Sequence, residues 1–358
     1  MANFHIDLYD AAGTRKAVLS TEVRALNYQA RVNYPGKVTF ELDGDHEMVS
    51  QILPGWRCDV WRLLPTGTWR KEMISFIEDS DWKFTDRSTI IYTASGVLSL
   101  LSKRRVAWYA NTNSKSAFSS SSKAEDIAVA LVYFNIGAAA TTANGRILNG
   151  VDSRIGVPAS GNRGNTLPWY CAWANLLDTL QKLAKVGGGD FNLVPVGSSY
   201  YFYWYPGQLG TDRTASVIFS LERGNIANPR HILSTNKAVN VVIVGGKGEN
   251  SARMVTTVQA SGYSAATHSE EFLDATDVDT TDALTARGNG KLEDLKAVSE
   301  FKFDILQSQY TNFNVEYFLG DLVKVINSKD SSVVTSKIDS ATISFDSDGR
   351  ETIKIGVL

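Results

Sequence analysis

Hydrophobic and polar positions alternate in short runs along most of this chain. Phe4, Ile6 and Leu8 share one side of an extended segment that ends near Gly13. Val38, Phe40 and Leu42 share one side of another, which stops at the turn-forming Asp43-Gly44-Asp45. In the next run Trp61 and Leu63 occupy one face, with Val60, Arg62 and Leu64 on the other; Pro65-Thr66-Gly67 then reverses the chain toward Trp69–Ile77. Residues 1–105 therefore read as a compact β domain.

After Trp108 the pattern changes. Asn111–Ser122 is rich in Ser and Asn and reads as a surface loop, and Ser122 with Glu125 fits a capping box opening a helix that buries Ile127, Leu131 and Phe134 before Gly137. Thr141–Thr166 reads as a long connection, ordered against a partner. Pro168 sits near the start of the clearest helical stripe, Trp173, Leu176, Leu177, Leu180 and Ala184, which Gly187-Gly188-Gly189 terminates. Strands are expected at Phe191–Val196 and Tyr200–Tyr205. A weaker helix is expected at Leu284–Val298, interrupted by Gly288 and Gly290.

The last third stops and restarts a β pattern. Val239–Val244 leads into Gly245-Gly246, a polar stretch follows, and Phe301, Phe303 and Ile305 resume the alternation. Further runs lie at Leu322–Ile326, Ile338–Phe345 and Thr352–Val357. Short strands at this spacing point to a small barrel or sandwich, and a closed barrel lets whole copies pack without unpaired edges.

With 358 residues the chain exceeds what one core usually serves, so several domains are expected. A net charge of −2 argues against a dedicated nucleic-acid surface. The first ten residues lack the pattern of a secretory signal, and no apolar run reaches the roughly 18 residues of a membrane span. Cys58 and Cys171 read as two free thiols rather than a disulfide framework.

Candidate chemistry is thin, and no catalytic, cofactor-binding or metal-binding residue is assigned. Gly245-Gly246-Lys247-Gly248 follows a strand but lacks the spacing of a phosphate loop or dinucleotide fingerprint, so it reads as a turn. His5, His46, His231 and His268 are scattered, without metal-ligand spacing. Glu222, Glu249, Glu270, Glu271 and Asp274 offer carboxylates for glycoside cleavage, but no pair predicts a cleft. Asp277–Asp282 lacks a complete calcium-loop pattern. The run Tyr200–Tyr205 places aromatic rings on both faces of a strand, one against the neighbouring helix and the other toward a domain, a subunit or a carbohydrate.

An ordered series of motifs carries a family resemblance. It comprises Val32-Asn33-Tyr34-Pro35-Gly36, Leu100–Val106, Ala172–Asp178, Gly207–Thr214, Phe219–Asn225, Val239–Glu249, Arg287-Gly288 and Leu319–Val323. In this order they resemble the tail or baseplate hub proteins of long-tailed, siphovirus-like bacteriophages.

The resemblance implies a β-rich α+β multidomain fold with two small β-barrel-like domains and inserted α/β segments. The first barrel would span 1–105, the inserted α/β domain 106–234, the second barrel 235–262 with 300–358, and a helical insertion 263–299. It further implies a structural homotrimer forming a pseudo-six-fold ring at the tail tip or baseplate of the virion, made in the host cytoplasm. Expected partners are the distal tail or tail-tube protein, the tape-measure protein, and tail-tip or receptor-binding proteins. DNA would pass through without specific recognition, and no cofactor is expected. Asp212, Arg213, Glu222 and Arg223 are expected to support turns or contacts. The chain ends at Leu358 just after a strand-like run, which favours a compact hub over one with a further terminal domain. A cell-wall-degrading tail enzyme and a carbohydrate-binding adsorption module are the alternatives.

Overall fold

The structure is a computed structural model that describes residues 3–107, 118–146, 148–308 and 310–358, without the side chains of 118–120 and 298–300. The chain forms two compact units: Met1–Ile226 with Ile305–Ile326 and Ser332–Leu358, and Ala227–Asp304 with Asn327–Ser331.

The first unit opens with β1 (Phe4–Tyr9), β2 (Arg15–Leu19), β3 (Ala25–Arg31), β4 (Tyr34–Asp43), β5 (Arg57–Leu63), β6 (Trp69–Phe84) and β7 (Ser88–Gly96). The one-turn helix α1 (Ser99–Ser102) and β8 (Phe118–Lys123) follow, then α2 (Ala124–Asn135), β9 (Ile155–Gly156) and β10 (Thr166–Cys171). The unit continues through α3 (Leu176–Gly187), β11 (Gly189–Val196), β12 (Ser199–Pro206) and β13 (Ile218–Phe219). The second unit is built from β14 (Ile226–Ser234), β15 (Val241–Gly245), β16 (Val255–Gln259), β17 (Glu270–Asp274), α4 (Thr281–Asp294) and β18 (Val298–Ile305). β19 (Leu322–Ile326), β20 (Val333–Phe345) and β21 (Glu351–Val357) return to the first.

The main sheet has 11 strands in the order β13-β19-β20-β3-β4-β7-β6-β5-β1-β2, with β21 branching from β20. Its alternation is that of the sequence: Phe4, Ile6 and Leu8, and Val38, Phe40 and Leu42, are all buried. The two expected barrels are not present, because no sheet among the described residues closes on itself. Closure requires a backbone ladder along both edges of every strand, and no ladder joins β2 to β21. Side chains bridge the curled sheet instead. The Phe4 and Phe345 rings stand 4.6 Å apart, and Arg62 on β5 reaches Glu351 on β21 at 3.1 Å. The strands expected in a second barrel also separate. β15 lies in a three-stranded sheet between β16 and β17, and β18 pairs with β14. Open strand edges replace the edgeless packing surface a barrel would have given.

Two helix starts differ from the sequence expectation. Pro168 lies in β10, which pairs with β8, and α3 begins only after Asn175, whose Oδ1 accepts from the Leu177 and Asp178 amides. Trp173 has φ 58° and is 52% exposed, so it is not part of the helical stripe. Ser122 lies in β8 rather than capping α2, and Glu125 turns to Arg163. Residues 111–117 of the expected surface loop lie outside the described residues. Leu176, Leu180 and Leu183 of α3 pack with Ile127 and Leu131 of α2 and with Phe191, Phe202 and Trp204.

In the second unit Val242, Val244 and Val258 pack against Leu284 and Leu292 of α4. Gly288 does not interrupt that helix. It lets α4 approach the sheet, because a Cβ there would collide with the Val258 and Val244 side chains.

Candidate functional site

Three of the motif segments meet around two buried carboxylates. Asp190, 2% exposed at the start of β11, accepts from the Asn33 side-chain amide at 2.8 Å, from the Leu209 amide at 2.8 Å and from Lys337 Nζ at 3.1 Å. Asn33 can serve because it turns the β3–β4 hairpin with φ 62°, and its Oδ1 also accepts from the Phe191 amide. Asp321, also 2% exposed, accepts from the Thr211 amide at 2.7 Å, the Phe318 amide at 2.8 Å and Arg213 Nε at 2.6 Å. Segments 32–36, 207–214 and 319–323 are thereby pinned to one another. Buried carboxylates persist only when so paired.

Other motif residues shape turns. Asp212 accepts from the Thr214 amide and hydroxyl, which hold its carboxyl below the usual range. Glu222 and Arg223 are exposed in the turn after β13, where the Arg223 amide donates to Ser220 Oγ. Gly245 ends β15, and Gly246 and Gly248 form the connection toward β16, as the glycine spacing predicts. In the aromatic run, Tyr200, Phe202 and Trp204 are buried in the α2–α3 core, while Tyr201, Tyr203 and Tyr205 are half-buried.

The histidines and carboxylates do not converge. His5 stacks on Trp61, His46 accepts from the Met48 amide, and His268 lies between Tyr263 and Glu270. Asp274 pairs with Arg253, and Asp277 holds Arg287 bidentately. Among the described residues no group of three or more His, Cys, Asp or Glu is arranged to hold a metal. No helix among them is long and apolar enough to cross a membrane.

Sequence reasoning missed a deeply buried cation. Arg62 is 1% exposed and donates to Glu72 at 3.0 Å, Glu351 at 3.1 Å and the Phe313 carbonyl at 3.1 Å. Its signal was available: a guanidinium alternating with Val60 and Leu64 on an inward face needs carboxylate partners. Burial pushes the Glu351 carboxyl up, against the attraction of Arg62.

Near this cluster lies a recess of about 420 Å³. Met73, Leu98, Phe191 and Leu193 give it an apolar floor, and Arg31 and Arg70 line it as well. Arg31 stacks 4.0 Å from the Tyr34 ring centroid and Arg70 5.3 Å from that of Phe318; neither forms an ion pair among the described residues. Of the other charged lining groups, Lys71 is bound to Asp59 and Glu72 to Arg62.

A family model described as Siphovirus ReqiPepy6 Gp37-like protein matches residues 5–357. The chain belongs to that family. Its fold is shared with solved tail proteins. The prophage MuSo2 43 kDa tail protein from Shewanella oneidensis superposes with a TM-score of 0.60 at 14% identity, covering 99% of this chain and 98% of that one. The tail protein from Neisseria meningitidis MC58 gives 0.57 at 11% identity, covering 99% and 96%. The prophage tail protein gp18 from Listeria monocytogenes EGD-e gives 0.55 at 9% identity, covering 98% and 94%. A search of curated proteins gave no match. The resemblance read from the ordered motifs is thus upheld in family, while the two barrels it implied are not formed.

Proposed function

We propose that this Gp37-like chain is a structural hub at the tail tip or baseplate, not an enzyme. Three copies form a pseudo-six-fold ring that joins the tail tube to the host-facing tip. The observation that carries the reading is the family match over residues 5–357, accompanied by fold similarity to tail proteins over nearly the whole of both chains. The two compact units, residues 1–226 with 305–326 and 332–358, and residues 227–304 with 327–331, would be the modules of each subunit.

In this reading the buried carboxylate pins hold segments of the first unit together under mechanical load. The partners are the distal tail or tail-tube protein, the tape-measure protein and the tip or receptor-binding proteins. A net charge of −2 suits a passage that does not retain DNA, since a strongly basic wall would hold the phosphate backbone. Immunogold labelling of intact virions with antibody to the purified chain tests the assignment. Label confined to the distal tail end is expected; label along the tail shaft or on the capsid overturns it.

A further inference from the structure

The β6–β7 hairpin ends in an exposed knob. Trp82 is 60% and Phe84 66% exposed, with their rings stacked 6.4 Å apart. The indole Nε1 donates to Ser88 Oγ at 2.9 Å, which fixes the plane of the ring. Asp79, Asp81 and Asp86 are exposed around the pair, and Lys83 is tied to Asp81 at 3.1 Å. Lys83 and the exposed Arg87 offset two of the three carboxylates, so the tip is aromatic with a small net negative charge. The cavity lined by Arg31 and Arg70 is its chemical complement, apolar at the floor with two guanidiniums that form no ion pair among the described residues, although Arg31 also attracts the Asp339 carboxylate.

We infer that the cavity receives the hairpin tip of a second copy of this chain. Its own tip is out of reach. Arg70 and Trp82 lie on the same strand, 12 residues apart, and at about 3.3 Å per residue they are separated by roughly 40 Å. A knob and a hole at such a distance on one subunit make a heterologous contact, which closes into a ring when the rotation between copies allows. Each aromatic side chain buries about 150–250 Å², so the pair anchors a contact that other surfaces extend toward the usual 800 Å² or so per partner. Arginine facing carboxylate sets the orientation of entry. The inference rests on the multi-subunit reading proposed above and names the contact that builds it.

The test is sedimentation equilibrium of the full chain over a concentration series, with circular dichroism confirming that each variant is folded. W82S/F84S alters only exposed positions and is expected to raise the self-association constant Kd by roughly thirty-fold or more, as loss of an interface hot spot does. R31E/R70E is expected to weaken association comparably, and D81K/D86K to weaken it too. A chain carrying both R31E/R70E and D81K/D86K should associate again, because the charges are exchanged rather than lost. Wild-type association in W82S/F84S overturns the inference while leaving the hub reading standing. Weakening by W82S/F84S with no effect of R31E/R70E also overturns it, by sending the knob to another surface. A wild-type chain that stays monomeric even with the tail-tube end supplied removes both.

Discussion

Replacing Arg62 by Met removes a buried cation that bridges β5 to β6 and β21 where no backbone ladder closes the main sheet. Its guanidinium makes three hydrogen bonds, to Glu72, Glu351 and the Phe313 carbonyl. After R62M, Glu72 retains the Asn314 side-chain amide at 2.5 Å, but no cation remains paired with either carboxylate. Breaking a buried ion pair from one side costs about 3–5 kcal/mol, a large share of a stability of about 5–15 kcal/mol. With a urea slope near 3 kcal/mol per M, the unfolding midpoint of the first unit should fall by about 1–1.7 M. The defect should also depend on pH. Burial already raises the Glu351 pKa in the folded state, and losing Arg62 raises it further. A carboxyl with a raised folded pKa binds its proton more tightly when folded, so stability falls as pH rises through that value. The loss in R62M is therefore larger at pH 8 than at pH 5. The triple variant R62M/E72L/E351L should recover most of the loss, because an apolar replacement of the whole cluster strands no charge. A midpoint for R62M within about 0.2 M of wild type, or a triple variant no better than the single one, refutes the reasoning.

Other expected outcomes follow from the same geometry. Glu125 is buried, which alone would raise its pKa, but bonds from Arg163 and backbone amides outweigh this and hold it below the usual range. E125Q should cost about 2 kcal/mol at pH 7. The wild-type advantage should fade as pH falls through the folded pKa, as read by urea melts between about pH 6 and pH 3. D321N weakens the pin to Arg213 and the Thr211 amide, so hydrogen exchange in segments 207–214 and 319–323 should quicken at least tenfold, equivalent to about 1.4 kcal/mol. G288A should destabilise the second unit by about 1–3 kcal/mol despite alanine's better helix propensity, shown by faster exchange in α4. Burial pushes the Cys58 thiol up to about 12 and the Cys171 thiol up to about 11, so a disulfide reagent at pH 8 should label both rapidly only after denaturation.

Local periodicity made much of this fold legible. The alternation in β1 and β4 reports one buried face, and the glycine-rich segment after Val244 reports a turn, because both depend on nearby residues. Barrel closure was not legible, since strand spacing gives the number of strands but not their partners. β20 pairs with β3 through Ser344 and Asn27, 317 residues apart, and β2 and β21 are left unjoined. The α3 start was misread because Trp169 and Trp173 fit a helical period as well as a strand. Trp173 at φ 58° breaks the run, and the Asn175 cap sets the true beginning. Gly288 looked like a breaker because propensity registers its flexibility and not the side chains pressed against it. The ordered motifs pointed to the family, but the two aspartates that unite three of them are recognisable only once segments distant in sequence meet. The cavity was invisible for the same reason: Arg31, Arg70 and Phe191 come from separate parts of the chain.

The most direct test of the hub assignment is electron microscopy of the purified chain over a concentration series, with and without the matching tail-tube end. Particles are classified without imposed symmetry. The account predicts a three-subunit ring with six similar peripheral lobes around a central opening. Compact monomers that persist when the tube end is present would contradict it.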